Sequence, residues 1–308
     1  MIYLDHAATT PLLPEVVEAM MPILTRDFGN PSGVHAASRI ARDHLEGARE
    51  EVAACLGADP NEILFTGGGT EANALAILGL AELQASPAHL ICSQIEHPAV
   101  RAAVALLEAR GHQVTWLRPD QNGRIDSTQV KDALTPQTFL ATVMLGNNEI
   151  GTLQPVAEIS ELCEEQGVSF HCDAVQAVGK LPLDLTSLPI TSLALSGHKF
   201  GGPKGIGALF VRRGHRLAPL IPGGGQERKL RSGTQNVAGA VGLAAALRLS
   251  ARNLQQNIAH LSALRDRASE LMLAIPGVHQ TGHPTLRLQH IASFRVDNTD
   301  CESLVIYL

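Results

Sequence analysis

Helical and extended hydrophobic patterns alternate along most of the chain. Residues 14–26 carry a short helical pattern opening at Pro14. Residues 36–56 carry a longer one, with Ile40, Ala41, Leu45, Ala48, Val52 and Leu56 roughly on one side. The short run Glu62–Phe65 predicts a strand ending in Thr66-Gly67-Gly68-Gly69, followed by a helix over about 70–84. The cycle then repeats. A strand at 89–93 precedes a helix at 98–110, and a strand at 112–117 precedes a helix containing Val130 and Leu134. A strand at 139–145 precedes a helix at 156–166, and strands at 168–172, 192–196 and 207–211 complete the set. These strands are continuous apolar runs, as suits a sheet covered on both faces, so the pattern predicts an α/β domain with mainly parallel strands.

After Gly233 the pattern changes. The Ala- and Leu-rich stretch 237–274 predicts a helix broken near Arg252-Asn253, with a strand at 287–296 and a last helix from Asp300. We expect a large domain over 13–255 and a smaller α+β domain made of 1–12 and 256–308. Ser303-Leu304-Val305-Ile306-Tyr307-Leu308 stops inside an apolar helical pattern without a Gly or Asn cap, a basic last turn or a polar tail. From this end the chain is expected to be incomplete.

Composition narrows the partners. Of 308 residues 45% are hydrophobic and 18% charged, which suits a globular chain and excludes collagen-like or low-complexity architecture. The net charge of −6 gives no support to a polyanion-binding surface, and 3% aromatics leave little for stacking on single strands. We therefore expect no nucleic-acid partner. No uncharged apolar run reaches the roughly 18 residues of a membrane span, and Met1-Ile2-Tyr3-Leu4-Asp5-His6 lacks the form of a signal segment. Five scattered cysteines make no disulfide framework, so a cytoplasmic setting without membrane partner is expected. The thirteen histidines are dispersed and no Cys-x-x-Cys occurs, so no structural metal is expected.

Four segments carry candidate chemistry. Thr66-Gly67-Gly68-Gly69-Thr70 lies between a strand and a helix, where glycines admit close backbone approach and the helix N-terminus faces an anion. The segment matches neither the Walker A nor the dinucleotide fingerprint. In Ser196-Gly197-His198-Lys199, the lysine sits near a strand's mouth, where a desolvated amine can form a Schiff base with an aldehyde. Asp173, ending a buried-type strand, is costly to bury unless it meets a cation such as a pyridinium nitrogen; capping the next turn is its simpler role. His97, before Pro98, could lie over an aromatic cofactor and shuttle protons, or merely serve a turn. Together the four describe a pyridoxal phosphate site.

With these residues in view, the chain closely resembles the NifS/IscS-type cysteine desulfurases, fold type I pyridoxal phosphate enzymes of aminotransferase class V. The resemblance rests on ordered blocks along essentially the whole chain. They include Tyr3-Leu4-Asp5-His6-Ala7-Ala8-Thr9-Thr10-Pro11, Phe28-Gly29-Asn30-Pro31-Ser32-Gly33-Val34-His35 and Gly69-Thr70-Glu71-Ala72-Asn73. Glu96-His97-Pro98-Ala99-Val100, Asn147-Asn148-Glu149-Ile150-Gly151 and Asp173-Ala174-Val175-Gln176 follow, then Ser196-Gly197-His198-Lys199, Gly223-Gly224-Gly225-Gln226-Glu227 and Arg231-Ser232-Gly233-Thr234. The blocks Asn147–Gly151 and Pro203–Gly207 resemble the NifS/IscS branch rather than the SufS-like one.

The resemblance implies a role for each matching residue. Lys199 matches the Schiff-base lysine, Asp173 the partner of the pyridine nitrogen, His97 the ring-stacking acid/base and Gln176 the hydrogen-bond partner of the phenolic oxygen. Gly69 belongs to the cofactor cradle; Thr70, Ser196 and His198 match phosphate ligands. Thr234 matches a phosphate ligand supplied by a neighbouring subunit, which implies a homodimer. Asn148 matches an Asn touching cofactor and substrate carboxylate.

The implied reaction removes sulfur from L-cysteine, leaving L-alanine and a protein persulfide for iron–sulfur cluster or thiocofactor assembly through an acceptor or scaffold protein. Selenocysteine lyase, or another pyridoxal phosphate lyase or aminotransferase, fits the same cradle; a cofactor-binding scaffold is the non-enzymatic alternative. In the family the nucleophilic cysteine lies on a C-terminal loop and a carboxylate-gripping arginine lies further on; both are expected beyond Leu308. Cys55, Cys92, Cys163, Cys172 and Cys301 read more simply as small apolar fillers, and alternation along the strand turns Cys172 away from the side of Asp173.

Overall fold

A computed structural model describes residues 2–307, with the side chain of Tyr307 left aside. Two helices open the chain, α1 (Pro14–Thr25) and α2 (Ala36–Leu56). Pro14 suits the first turn of α1, where its missing N–H costs nothing. The His35 ring caps α2 by accepting from the Ser38 N–H, and Gly57 ends it with φ +67°, a left-handed conformation open to glycine. Ala41, Leu45, Ala48, Val52 and Leu56 form its buried stripe, as their spacing predicts, whereas Ile40 is exposed.

The repeating part follows as β1 (Ile63–Thr66), α3 (Gly69–Ala81), β2 (His89–Ser93), α4 (Pro98–Ala109), β3 (Gln113–Leu117), α5 (Ser127–Ala133), β4 (Thr138–Thr142), α6 (Val156–Glu165), β5 (Ser169–Asp173), β6 (Ser192–Ser196) and β7 (Gly207–Val211). Seven strands make one sheet in the order β1-β7-β6-β5-β4-β2-β3. The β6, β5, β4, β2 and β3 strands run parallel, and β7 alone is reversed against both its neighbours. Because β1 and β6 are each antiparallel to β7, they point the same way. The C-terminal ends of β1, β2, β4, β5 and β6 therefore share one edge, where open α/β sheets hold their ligands.

Two apolar layers cover the sheet. One packs Val16, Leu45, Val52, Ile159 and Leu243 against one face, while Leu75, Ile77, Val100 and Leu107 cover the other. The second layer explains why α3 is apolar nearly all round: Ala72, Leu75, Ala76, Ile77 and Leu80 are all buried.

The Ala-rich stretch resolves into α7 (Val237–Arg252) and α8 (Leu254–Leu273), divided at the expected Asn253. Strands β8 (Val278–Gln280) and β9 (Phe294–Val296) pair antiparallel, and α9 (Cys301–Tyr307) follows. The predicted helix to Leu308 ends outside the described residues at Leu308 itself.

Two expectations need correction. The strand expected over 139–145 ends at Thr142; Val143 and Met144 stay buried in the loop above it, which kept the run apolar. The strand expected over 287–296 exists only as β9, while β8 was unforeseen. Leu288 and Ile291 are buried in irregular backbone, packed against Gly146 and Gly151, and only Arg287 makes a bridge, to Thr152. A short apolar run records burial, and burial does not require a strand.

Candidate active site

At the shared strand edge lies a cavity of about 190 Å³ lined by Gly69, Thr70, Asn73, His97, Met144, Asn148, Asp173, Val175, Gln176, Ser196, His198 and Lys199. Nine of the ten residues singled out in the sequence meet there. The tenth, Thr234, lies exposed in the loop before α7 and does not line the cavity.

Each wall follows from a chain element. The β1–α3 turn places Gly69 at the start of α3, where an added Cβ would come 2.6 Å from Val175 Cγ2. Glu71 secures the turn, accepting from Gly67 N at 2.8 Å while paired with Arg231 at 2.7 Å. Thr70, Ser196 and His198 continue from this cavity into an adjoining one of about 590 Å³, lined also by Gly67, Gly68, Thr9 and Lys204. Hydroxyls, a lysine and a helix N-terminus meet here, the donor set of an anion site. His198 is held neutral, its pKa pushed down to about 4 by burial and then by Lys199, Lys204 and Lys180.

Asp173 ends β5 and is buried. Its Oδ1 accepts from Val175 N at 3.0 Å and its Oδ2 from Asn73 Nδ2 at 2.7 Å. The turn-capping role and the cavity role thus coexist in one carboxylate. Asn73 is itself held by His171 Nε2 at 2.8 Å, and His171 Nδ1 by Ser192 Oγ at 2.9 Å. Burial pushes Asp173 above the ordinary carboxylate range; the bonds from Val175 and Asn73, then His97 and Lys199, pull the other way. Such a group gains most from a cation placed beside it.

His97 caps α4, its Nδ1 accepting from Ala99 N at 3.1 Å. The neutral ring therefore carries its proton on Nε2. Lys199 follows β6 and donates to the carbonyls of Ala7 at 2.7 Å and Ala8 at 2.8 Å. Burial lowers its pKa, against the pull of Asp173 and Asp5. The opening segment is pinned over the site by Thr10 N, which donates to the His198 carbonyl at 2.9 Å.

Sequence reasoning assigned no role to Asn73 or to the Ala7 and Ala8 carbonyls. Asn73 stands one helical turn beyond Thr70, which faces it into the same cavity. The carbonyls leave no trace in side-chain chemistry. None of the five cysteines lines the cavity. The filler reading suits Cys92, Cys163 and Cys172, whose buried thiols are pushed up, that of Cys163 to about 12. It fails for Cys301, which is exposed.

The sequence profile described as aminotransferase class-V matches residues 2–308. The chain belongs to that family. The cysteine desulfurase IscS of Methanosarcina thermophila is 44% identical over 308 residues, spanning the whole of this chain and 76% of that protein. A solved structure titled NifS-like protein superposes with a TM-score of 0.95 at 36% identity, covering 98% of this chain and 84% of the other. A structure of SspA in complex with cysteine reaches 0.79 at 45% identity, covering 80% and 72%. The fold is accordingly fold type I, the α/β architecture of pyridoxal phosphate enzymes.

Class-V aminotransferases depend on pyridoxal phosphate, and the residues present fit that group. A half-buried lysine answers its aldehyde, a buried carboxylate its ring nitrogen, and the anion-binding lobe its phosphate. Only glycine fits at position 69, because a Cβ there would crowd Val175 and Ser196 at the cavity wall. No group of His, Cys, Asp and Glu able to hold a metal occurs among the described residues. No described helix is long and apolar enough to cross a membrane.

Proposed function

We propose that the chain is a pyridoxal-phosphate-dependent cysteine desulfurase, converting L-cysteine to L-alanine and passing sulfur to a protein thiol for iron–sulfur cluster or thiocofactor assembly. The reading is carried by the convergence of Lys199, Asp173 and His97 with the donors Thr70, Ser196 and His198 in one cavity. It is supported by similarity, along the whole of this chain, to proteins named cysteine desulfurase.

Pyridoxal phosphate, when bound, supplies an electron-poor ring that takes up charge from the substrate α-carbon. Lys199 would hold the cofactor's aldehyde, and its amine would move the substrate's α-proton. Its burial-lowered pKa leaves more of the amine in the basic form that such work requires. Asp173 keeps a proton on the ring nitrogen, and Asn73 keeps Asp173 in place. His97 offers Nε2–H over the cavity while Nδ1 remains tied to α4. Gln176 addresses the phenolic oxygen, and Gly69, Thr70, Ser196 and His198 bind the phosphate. Asn148, on the cavity wall, would contact cofactor and substrate carboxylate. The sulfur-accepting thiol is not among the cavity's lining residues.

We further assign Thr234 to the neighbouring subunit's phosphate lobe in a homodimer, the division into 13–255 and 1–12 plus 256–308 to large and small domains, and the cytoplasm as location. Addition of L-cysteine to the cofactor-loaded protein tests the activity. The expected outcome is a change in the visible absorption band together with alanine and transferable sulfur in equal amounts. Pyruvate and free ammonia as the main products would point to simple β-elimination. Alanine released only from selenocysteine would point to a selenocysteine lyase.

A further inference from the structure

Close to the site lies a buried lysine that the mechanism does not use. Lys180, in the turn after β5, is 8% exposed, and its Nζ lies 3.1 Å from Gln176 Oε1 and 3.1 Å from His290 Nε2. Those two atoms are themselves 3.2 Å apart, and the Lys180 amine reaches both. We propose that Lys180 is a positioning residue that locks the Gln176 carboxamide with its oxygen inward and its N–H groups toward the cavity.

The orientation is over-determined. An ammonium has only hydrogens to offer, so Gln176 must meet it with oxygen. At the other end Gln176 Nε2 donates to the Ala7 carbonyl at 2.7 Å, the same oxygen that Lys199 holds at 2.7 Å. His290, Lys180, Gln176, Ala7 and Lys199 thus form one continuous chain of hydrogen bonds, and Gln289 Nε2 adds a bond to the Lys180 carbonyl. Burial and then Lys199 push Lys180 down to about 7, while burial and then Lys180 push His290 down to about 2. The imidazole is therefore neutral, and toward an ammonium at Lys180 its Nε2 can only accept. A neutral lysine amine still has two hydrogens, enough for both bonds, and the bond from Gln176 Nε2 to the Ala7 carbonyl then keeps the amide oxygen toward it. Without Lys180 the amide is free to turn its oxygen to the cavity, where it would repel the deprotonated phenolic oxygen that Gln176 is assigned to bind.

The inference rests on the proposed cofactor site. Its test measures cofactor affinity and the absorption band near roughly 400 nm of the bound cofactor in wild type, Lys180→Met, Lys180→Arg, Gln176→Ala and the Lys180→Met/Gln176→Ala double variant. Lys180→Met is expected to weaken cofactor binding roughly tenfold, the weight of one lost hydrogen bond, and to diminish the band. Lys180→Arg, which keeps the donors, is expected to restore both. In the Gln176→Ala background Lys180→Met is expected to change neither, because its effect passes through the amide. Unchanged affinity and band in Lys180→Met, or an equal loss with and without Gln176, overturns the inference while leaving the cofactor site standing. A wild-type protein that binds no pyridoxal phosphate overturns both. Should Lys180→Met fail to fold, Lys180→Gln passes through the same cycle with the same criteria.

Discussion

Asp173 is the residue whose chemistry depends most on where it stands. It is buried, pushed up by that burial, and steadied by two hydrogen bonds. Asp173→Asn keeps the shape and removes the charge, so cofactor binding is expected to persist while turnover falls by about two orders of magnitude or more, the scale of losing a preorganised electrostatic partner. Steady-state kinetics on the loaded variant check this. Glu96, next to His97, is also buried, and burial raises its pKa to about 8 even though Ser93 Oγ and Met144 N donate to it. The unfolded value is 4.5, so the folded state holds the extra proton. The stability linked to it is fully present below pH 4.5 and lost as pH rises through 8. Glu96→Gln mimics the protonated form and does not titrate. Its melting temperature minus that of wild type is expected to increase from pH 5 to pH 8.5; a constant difference contradicts the assignment. Lys199, Asp173 and Thr70 were legible because a charged or hydroxyl residue beside glycines at a strand end has few other uses. Lys180 and Asn73 were not, because their work is done on other side chains whose positions no local pattern records.

At the scale of elements, the loop before α7 holds the least ordinary backbone. Glu227, Arg228 and Lys229 have positive φ in succession, a conformation costly for residues with side chains. Their anchor is the buried pair of Arg49 on α2 and Glu227, joined by two bonds of 2.9 Å, with Glu227 Oε2 also accepting from Phe65 N at 2.8 Å. Removing Glu227 leaves Arg49 with Glu46 and the Ile63 carbonyl but takes away a buried partner and the acceptor of Phe65 N, so Glu227→Ala is expected to lower stability by about 3 kcal/mol. A chemical-denaturation midpoint close to wild type contradicts that. The regular elements around this loop were readable from periodicity alone: α2, β2, β6 and β7 have the bounds their patterns predict. The left-handed run was not readable, since Glu-Arg-Lys carries no local preference for it and contacts with α2 and β1, far along the chain, hold it. The same reason hid the antiparallel direction of β7 and the pairing of β8 with β9.

At the scale of the whole molecule, the proposed homodimer would extend the anion lobe beyond a single chain. Thr234, assigned to that lobe, lies outside its own cavity, and Ile2, Leu4, Phe28 and Val34 from the first 34 residues are each more than three-quarters exposed. Apolar side chains left open in this way suit coverage by a partner. Sedimentation equilibrium is expected to give twice the chain mass of 32.7 kDa; a monomer across the micromolar range contradicts the homodimer. The proposed reaction depends on the cofactor being held at the mouth of β6. The direct measurement is to load the purified protein with pyridoxal phosphate, reduce with borohydride and map the modified peptide by mass spectrometry. The account predicts a single pyridoxyl adduct on Lys199 and none in Lys199→Ala; an adduct on Lys180 or Lys204, or no adduct in wild type, contradicts it.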